Sequence, residues 1–485
     1  MRTIASRFKK FNSGLAVIGS KRDGQWRWTS QNDMHNYISG AIETLKYKGV
    51  KSGDRVLYKG SNSLEWVSWN IATNAMGAIW VPMYKEQTLK QINHIKEDCS
   101  PKLFISDENT VDSIDNKIKP YDKDYSINTN DWDISTIIYT SGTSGPPKGV
   151  TLTNANILAN IEGIQKRFID DSGKRMTSLN ILPWAHIFGL TTELYYNMLN
   201  NNCIAIAEDK TKFVKNLREI NPNYIYVVPR VLKLIKDKCK HLEKLPFSDI
   251  IIPKALSYIF GENIHTIFVG GSKLDINTAL FFEKHGFNPC EGYGTTETSP
   301  VVAVNHRKFP RDINSVGKLL DNVEVITEND EILVSGPSVM SGYWNNKDAT
   351  EKSIIIKDGR KWYKTGDSGF LSNDRFLYFK GRESDNYKMS NGKFVDVHEV
   401  ETEVKKHIEG HFIVWGDNMD YNLLISDIEV PYETLCSINE NLESHMKLSK
   451  SLTVSTKFFE ESMTNKLSIK RKEFINNIRH LLITI

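Results

Sequence analysis

The most informative stretch of the chain, residues 139–150, reads Tyr-Thr-Ser-Gly-Thr-Ser-Gly-Pro-Pro-Lys-Gly-Val. It places four hydroxyl side chains, three glycines and one lysine in a single loop. Glycines let a backbone approach a ligand closely. Hydroxyl and backbone N–H groups donate hydrogen bonds to oxyanions, and a lysine adds a positive charge. A β-branched run at 135–139 predicts a strand before the loop, and residues 153–157 predict the start of a helix after it. The stretch therefore predicts a loop that binds a polyphosphate.

The loop does not have the spacing of a Walker A motif, because two prolines precede Lys148 and a glycine follows it. It resembles instead the phosphate loop of the adenylate-forming superfamily, which includes acyl-CoA synthetases, luciferases and the adenylation domains of peptide synthetases. The resemblance implies that the loop binds ATP and that Thr143 also contacts Mg²⁺. The implied nucleotide-binding residues of the loop are Thr140, Ser141, Gly142, Thr143, Ser144, Gly145 and Lys148.

Length and composition narrow the other possibilities. A chain of 485 residues is too long for one core and predicts about three folding units. Its 62 basic and 59 acidic residues nearly cancel, which gives no electrostatic case for binding nucleic acid. The five cysteines are scattered and odd in number, which favours a reducing compartment. The N-terminus lacks the long apolar core of a secretory signal, so we expect a cytoplasmic protein.

The order of elements predicts an α/β protein. Strand-like runs alternate with helical ones up to about residue 270, which is typical of βαβ units and a largely parallel sheet. From about Glu324 short strands and turns predict a small antiparallel β subdomain. With the resemblance, we expect a large N-terminal domain (1–383) of parallel-sheet αβαβα subdomains plus this β subdomain, and a small mobile α+β C-terminal domain (384–485).

Further motifs of the superfamily follow in its usual order. Two other segments, 221–232 and 388–393, are similar to long-chain fatty acyl-CoA synthetases in particular. The ordered motifs are Leu182–Leu190, Phe268–Ser272, Glu291–Thr298, Trp362–Asp367 and Tyr378–Arg382.

The resemblance assigns roles to the residues of these motifs. Tyr293 lies between two glycines, so its ring can stack on the adenine base, and Glu297 is an oxygen ligand suited to Mg²⁺. Asp367 can accept hydrogen bonds from the ribose hydroxyls, and Arg382 can donate to the sugar or the phosphate. His186 is expected to gate the acyl channel. The remaining implied site residues are Gly270, Gly271, Ser272, Gly294, Thr295 and Gly392 for the nucleotide, and Thr296 beside Glu297 for catalysis.

Two positions depart from the superfamily pattern. The hinge between the domains is usually Asp or Lys, and here it would be Ser384. The catalytic lysine of the C-terminal domain usually follows a glycine, whereas Lys466 follows Asn465. We take Lys466 as the catalytic lysine; in another register Ser468 stands at that position, with Lys470 nearby.

The implied reaction joins a fatty acid to coenzyme A, through an acyl-adenylate formed with ATP and Mg²⁺. One alternative is an acyl-AMP ligase that loads a carrier protein, and another is a degenerate, non-catalytic protein that binds an acyl chain or nucleotide and regulates a partner. The basic and apolar C-terminal tail predicts either a solvated helix or peripheral contact with a membrane.

Overall fold

The computed structural model describes residues 3–108, 112–140, 146–171, 173–382, 385–390, 393–463 and 469–482. The chain divides into two compact units, and the division falls inside several strands. The first unit comprises Met1–Val325, Val334–Lys364 and Asn373–Leu377; the second comprises Ile326–Leu333, Thr365–Ser372 and Tyr378–Ile485. The domain boundary after residue 383 stays a prediction, and Glu383 and Ser384 lie outside the described residues.

The strands include most of the runs that the sequence predicts. They are β1 Ala16–Arg22, β2 Gln25–Ser30, β3 Arg55–Lys59, β4 Ile79–Met83, β5 Leu103–Ser106, β6 Ile114–Asp115, β7 Ile134–Thr140, β8 Lys148–Thr153, β9 Thr177–Asn180, β10 Cys203–Ile206, β11 Tyr224–Val227, β12 Thr266–Val269, β13 Cys290–Gly294, β14 Val301–Val304, β15 Lys318–Leu319, β16 Glu324–Glu328, β17 Glu331–Ser335, β18 Gly342–Tyr343, β19 Ile354–Lys357, β20 Arg360–Leu371, β21 Leu377–Arg382, β22 Tyr387–Lys388, β23 Phe394–Val395, β24 Phe412–Trp415, β25 Asn422–Ser426 and β26 Leu448–Thr453.

The helices alternate with the strands through the first unit. They are α1 Ile4–Lys9, α2 Gln31–Tyr47, α3 Leu64–Ala75, α4 Leu89–Cys99, α5 Asn154–Arg167, α6 Tyr196–Leu199, α7 Phe213–Ile220, α8 Pro229–Cys239, α9 Ser248–Phe260, α10 Ile276–Lys284, α11 Lys347–Ser353, α12 Val397–Val404, α13 Tyr432–Asn439, α14 Thr456–Glu461, α15 Arg471–Asn477 and α16 Arg479–Leu482. A π-helix covers Phe188–Tyr195, and 3₁₀ turns cover Ile169–Asp171, Lys240–Lys244 and Thr296–Thr298.

Two large sheets form the first unit. One has nine strands in the order β15-β14-β13-β12-β11-β9-β10-β1-β2, and its central neighbours from β13 to β1 are parallel. The other has seven strands in the order β18-β8-β7-β4-β3-β5-β6, with parallel pairing from β7 to β6 and antiparallel β8 and β18 at one end. Parallel strands joined by helices bury both faces of a sheet, and the predicted α/β class is confirmed.

Helix α3 and strand β4 are almost completely buried. All side chains of α3 except Glu65 are buried, and Ser63 caps its first turn by accepting a hydrogen bond from the Trp66 backbone N–H. Among the described residues, no helix combines the length and apolarity that crossing a bilayer requires.

The second unit contains a three-stranded sheet, in which β24 and β25 are antiparallel and β25 and β26 are parallel. Helices α12 and α13 cover a core built around Val400 and Ile438. On another core, Phe459 packs with Phe474 and Ile478 of the C-terminal tail. Among the described residues of the tail, the apolar side chains from Ile469 to Leu482 pack in or against this core.

Candidate functional site

The two strands that carry the phosphate loop meet at its base. Strand β7 ends at Thr140 and β8 begins at Lys148, and these two residues are antiparallel partners. The loop residues between them that the sequence selects, Ser141 to Gly145, lie outside the described residues. Directly before β8, the Pro147 carbonyl accepts a hydrogen bond from His94 Nε2 at 2.9 Å. The structure thus fixes the start and the lysine end of the predicted loop.

A tyrosine that sequence reasoning missed connects the loop lysine to the predicted metal ligand. The Tyr343 hydroxyl donates a hydrogen bond to Glu297 Oε1 at 2.9 Å. The Lys148 ammonium lies 5.2 Å from the centroid of the same ring, within the range of a cation–π contact. Burial and the nearby Glu297 carboxylate raise the pKa of Tyr343, so the phenol keeps its proton and remains a donor.

Strand pairing explains why Tyr343 reaches this place. Residues Gly342 and Tyr343 form β18, which pairs antiparallel with Thr151 and Val150 of β8. A β-carbon at Gly342 would lie 2.8 Å from Thr350 Cγ2, so the glycine allows the close approach of α11. A short Gly-Tyr pair far along the chain carries no periodic signal, and sequence pattern alone could not select it.

Two buried asparagines of α5 hold the segments that bear Glu297 and Tyr343. The Asn160 amide bonds the Val301 backbone on both sides: Nδ2 donates to the Val301 carbonyl at 2.7 Å and Oδ1 accepts from its N–H at 3.2 Å. The Asn156 Nδ2 donates to the carbonyls of Pro337 and Val339 at 2.8 and 3.0 Å. Helix α5 therefore sets the spacing between the glutamate and the tyrosine.

The predicted adenine-binding motif forms the end of β13 and the turn after it. Tyr293 is half-buried and pairs with Ala303 of β14. A β-carbon at Gly294 would lie 1.7 Å from the Pro300 carbonyl oxygen, so only glycine fits here. The following 3₁₀ turn contains buried Thr296 and half-buried Glu297, whose carbonyl accepts a hydrogen bond from Met340 N–H at 2.7 Å. Thr295 begins this turn, and its N–H donates to Thr298 Oγ1 at 3.0 Å.

A buried carboxyl group supports the neighbouring glycine turn. Gly270, Gly271 and Ser272 follow β12, and Gly271 has a φ of +89°, a conformation that favours glycine. Two residues further on, the Leu274 N–H donates to Glu291 Oε1 at 2.7 Å. Burial raises the pKa of Glu291 to about 7, although this hydrogen bond acts in the opposite direction. Glu291 therefore anchors the loop that the sequence assigns to the nucleotide and the acyl chain.

The loop that carries His186 is held by an asparagine network. Asn62 Nδ2 donates to Asn180 Oδ1 and to the Leu182 carbonyl, both at 2.7 Å, and Asn62 Oδ1 accepts from the Trp184 N–H at 3.0 Å. The imidazole Nδ1 of His186 accepts from the Phe188 N–H at 3.1 Å, so Nδ1 is unprotonated in this arrangement. His186 is thereby fixed at the start of the π-helix, a feature often found at functional sites.

Aromatic rings connect the His186 loop to the glycine turn. The Phe188 ring packs against Gly270. A β-carbon at Gly270 would lie 3.2 Å from Phe188 Cζ. The Phe188 and Tyr226 centroids are 6.3 Å apart, and the Tyr226 ring stacks on Phe268 at 4.8 Å. These contacts bring together the segment with His186, the segment 221–232 and the glycine turn after β12.

The second unit contains the predicted ribose residues. Arg382 Nε lies 3.1 Å from Asp367 Oδ1, and the Asp367 carboxylate is almost completely buried. The Asp367 N–H donates to Thr365 Oγ1 at 3.0 Å, which orients this part of β20. The structure therefore brings the two predicted residues into one ion pair. Gly392 and Lys466, also predicted for this unit, lie outside the described residues.

The donor set fits a magnesium ion that is shared with phosphates. Among the described residues, no group of three His, Cys, Asp or Glu side chains could hold a metal on its own. Mg²⁺ is commonly bound by one or two carboxylates together with substrate phosphates and water. Glu297 offers such a carboxylate, since Tyr343 bonds one of its oxygens and the other has no hydrogen bond among the residues described.

Similar proteins identify the family of the chain. The family described as "AMP-binding enzyme" matches residues 6–344. A long-chain-fatty-acid–CoA ligase of Mycobacterium tuberculosis is 24% identical over 465 residues, which cover 81% of this chain and 76% of the relative. Long chain acyl-CoA synthetase 3 of Arabidopsis thaliana is 25% identical over 514 residues, or 86% of this chain and 75% of the relative.

Solved structures share the fold. The O-succinylbenzoate coenzyme A synthetase of Bacillus subtilis in complex with AMP has a TM-score of 0.79 and 21% identity, covering 97% of this chain and 98% of its own. The ATP-bound MatB of Rhodopseudomonas palustris has a TM-score of 0.83 and 17% identity, covering 99% of each chain. The family match covers residues 6–344, which is more than half of the chain. The chain therefore belongs to the AMP-binding enzyme family, the adenylate-forming ligases that use ATP, Mg²⁺ and coenzyme A.

Proposed function

We propose that this chain is an ATP-dependent fatty acid–CoA ligase that converts a fatty acid, ATP and coenzyme A into acyl-CoA, AMP and pyrophosphate. The observation that carries the proposal is that Lys148 and Glu297 both contact Tyr343, the ammonium at its ring and the carboxylate at its hydroxyl. A cation and a carboxylate at the base of a hydroxyl-rich loop are what a magnesium–triphosphate complex needs for binding.

The first step is attack of the substrate carboxylate on the α-phosphorus of ATP, with departure of pyrophosphate. Lys148 and the loop hydroxyls would neutralise the growing phosphate charge, and positioning supplies most of the catalysis in such transfers. When bound at Glu297, Mg²⁺ would shield the phosphate oxygens. In this proposal Tyr293 holds the base, Asp367 and Arg382 hold the ribose, and Lys466 approaches the α-phosphate.

In the second step the coenzyme A thiolate attacks the carbonyl carbon of the acyl-adenylate, and AMP leaves. His186 lies on the loop that joins the apolar wall of Phe188, Tyr226 and Phe268, consistent with the role of a gate at the acyl channel. Two sequence relatives carry long-chain fatty acid names, and this apolar wall suits an alkyl chain. One relative in fold acts on O-succinylbenzoate, so aromatic acids belong in the test.

The deciding experiment is acid-dependent exchange of labelled pyrophosphate into ATP. Fatty acids from C8 to C18 and o-succinylbenzoate would be compared, with Lys466→Ala, Lys470→Ala and the surface control Lys457→Ala. Exchange with fatty acids that is lost only in Lys466→Ala supports both the reaction and the predicted lysine. Loss only in Lys470→Ala supports the shifted register, and no exchange with any acid overturns the ligase proposal.

The acceptor thiol distinguishes the main alternative. An acyl-AMP ligase would form acyl-adenylate but transfer the chain to a phosphopantetheine-bearing carrier protein instead of coenzyme A. Adding each thiol to the exchange mixture and following thioester formation separates the two. A chain that binds ATP without exchange would support the non-catalytic alternative.

A further inference from the structure

Helices α8 and α9 use only one side for the core. Leu232 and Ile235 of α8 are buried, as are Leu256 and Phe260 of α9, and all four pack in the core beside the nine-stranded sheet. Spacings of three and four residues place such side chains on one side of a helix. On the opposite side of these helices, large apolar side chains such as Leu234, Ile250 and Tyr258 are exposed.

That outer side presents large apolar groups to solvent. Phe247, Ile250 and Tyr258 follow one another at spacings of three and eight residues, and their exposed fractions are 77%, 57% and 66%. Lys254 is exposed on the same side. We name this surface the outer apolar face; its members are Leu234, Leu245, Phe247, Ile250, Tyr258 and Leu280.

Side-chain contacts tie α9, which carries part of the outer apolar face, to the neighbouring helices α10 and α7. Lys284 Nζ at the end of α10 lies 3.0 Å from Asp249 Oδ1 at the start of α9. Arg218 of α7 bonds the Tyr258 hydroxyl, and its guanidinium carbon lies 4.6 Å from the ring centroid. Phe247 has a φ of +64°, an unfavourable value for a bulky residue, and its side chain is exposed.

The surroundings of the face are basic. Residues 229–260 contain seven basic and three acidic side chains, a net charge of +4. One of the acids, Asp249, is already paired with Lys284. The basic residues are Arg230, Lys233, Lys236, Lys238, Lys240, Lys244 and Lys254, and the acidic ones are Asp237, Glu243 and Asp249.

We infer that the outer apolar face docks onto the surface of an anionic lipid bilayer. Exposed apolar patches of this kind mark interaction sites. Aromatic and aliphatic groups enter the boundary between headgroups and acyl chains, while surrounding lysines are attracted to lipid phosphates. A second copy of the chain fits less well, because a self-complementary contact would bring two faces of equal positive charge together. The inference does not depend on which acid the enzyme activates.

The test is co-sedimentation of the full-length chain with extruded vesicles, at 0.1 M salt. Vesicles of pure phosphatidylcholine are compared with vesicles containing 30 mol% phosphatidylglycerol. We expect wild type to bind the anionic vesicles, and the double variant Phe247→Glu/Ile250→Glu to lose binding at least tenfold. Lys240→Glu/Lys244→Glu should also weaken it. The matched control is Tyr47→Glu, which changes a side chain that is 87% exposed on α2 and should bind like wild type.

Three results would overturn the inference: undiminished binding by the double variant, equal binding to neutral and anionic vesicles, or equal loss in Tyr47→Glu. A concentration-dependent dimer in light scattering that the double variant abolishes would assign the face to a second copy instead. Thermal melts of each variant show that a loss of binding is not a loss of folding, because the altered side chains are exposed.

Discussion

The hydroxyl of Tyr343 and the carboxylate of Glu297 are joined by a 2.9 Å hydrogen bond, and the same ring faces the Lys148 ammonium. One side chain therefore contacts both the lysine and the carboxylate that a magnesium–triphosphate complex would use. Tyr343 is thus a positioning residue for the proposed ATP site.

Removing only the hydroxyl of Tyr343 should weaken the binding of Mg²⁺. In Tyr343→Phe, Glu297 loses the hydrogen bond that orients it, and we expect about a tenfold higher Mg²⁺ concentration for half-maximal pyrophosphate exchange, the usual size of such an effect. The rate at saturating Mg²⁺ should change little. Tyr343→Leu, which also removes the ring beneath Lys148, should raise the KM for ATP as well. Identical Mg²⁺ titrations for wild type and Tyr343→Phe would rule this role out.

Two glycines of β13 offer a matched pair for a packing test. Gly294→Ala places a β-carbon 1.7 Å from the Pro300 carbonyl, whereas the β-carbon of Gly292→Ala would lie 3.4 Å from its nearest neighbour. We expect the first substitution to destabilise the chain by about 3 kcal/mol, as overpacking in cores does, and the second to be nearly neutral. Melting temperatures of the two variants check this, and similar values for both would contradict it.

The buried Glu291 predicts a pH dependence of stability. Its pKa rises to about 7 in the folded chain, so it is neutral in both states below its ordinary pKa. Between pH 4.5 and 7 the Glu291 carboxyl is ionised in the unfolded chain but stays protonated in the folded chain. The free energy of unfolding therefore falls as pH rises through this range. With about 1.4 kcal/mol for each pH unit, the loss relative to Glu291→Gln is about 3 kcal/mol between pH 4.5 and 7.

Melting temperatures of wild type and Glu291→Gln between pH 4.5 and 8 measure this effect, because the other titrating groups are common to both. As pH rises, the melting temperature of Glu291→Gln should increase relative to that of wild type. A gap that stays constant across this range would show that Glu291 does not change its charge there.

In the second unit, a partly buried arginine is expected to determine local stability. Arg471 Nη2 lies 2.6 Å from both carboxylate oxygens of Glu401, and Nε lies 3.6 Å from Asp385 Oδ2. Removing one partner leaves the other charge uncompensated, and we expect a cost below the roughly 3 kcal/mol of a fully buried ion pair. Arg471→Ala should therefore speed amide exchange in α12 and β24, whereas Lys470→Ala should not. Hydrogen exchange followed by mass spectrometry checks this, and unchanged exchange in α12 would refute it.

The sequence predicts the parts of this molecule whose signal is local. Runs such as Tyr224–Val227 and Thr266–Val269 are strands because β-branched and aromatic residues suit a buried parallel sheet. The pairing of Asp367 with Arg382 also follows the predicted motifs. Tyr343, Asn156 and Asn160 could not be found in this way, since their roles arise from contacts between segments more than 40 residues apart.

The position of Arg471 in the chain has a mechanical consequence. Asp385 directly follows the predicted hinge Ser384, and Arg471 begins the helix that follows the segment with Lys466. Arg471 therefore ties Asp385 to the start of α15, and Glu401 in turn ties the same guanidinium group to α12. If the chain rotates at Ser384, we expect Asp385, α12 and α15 to move together as one body.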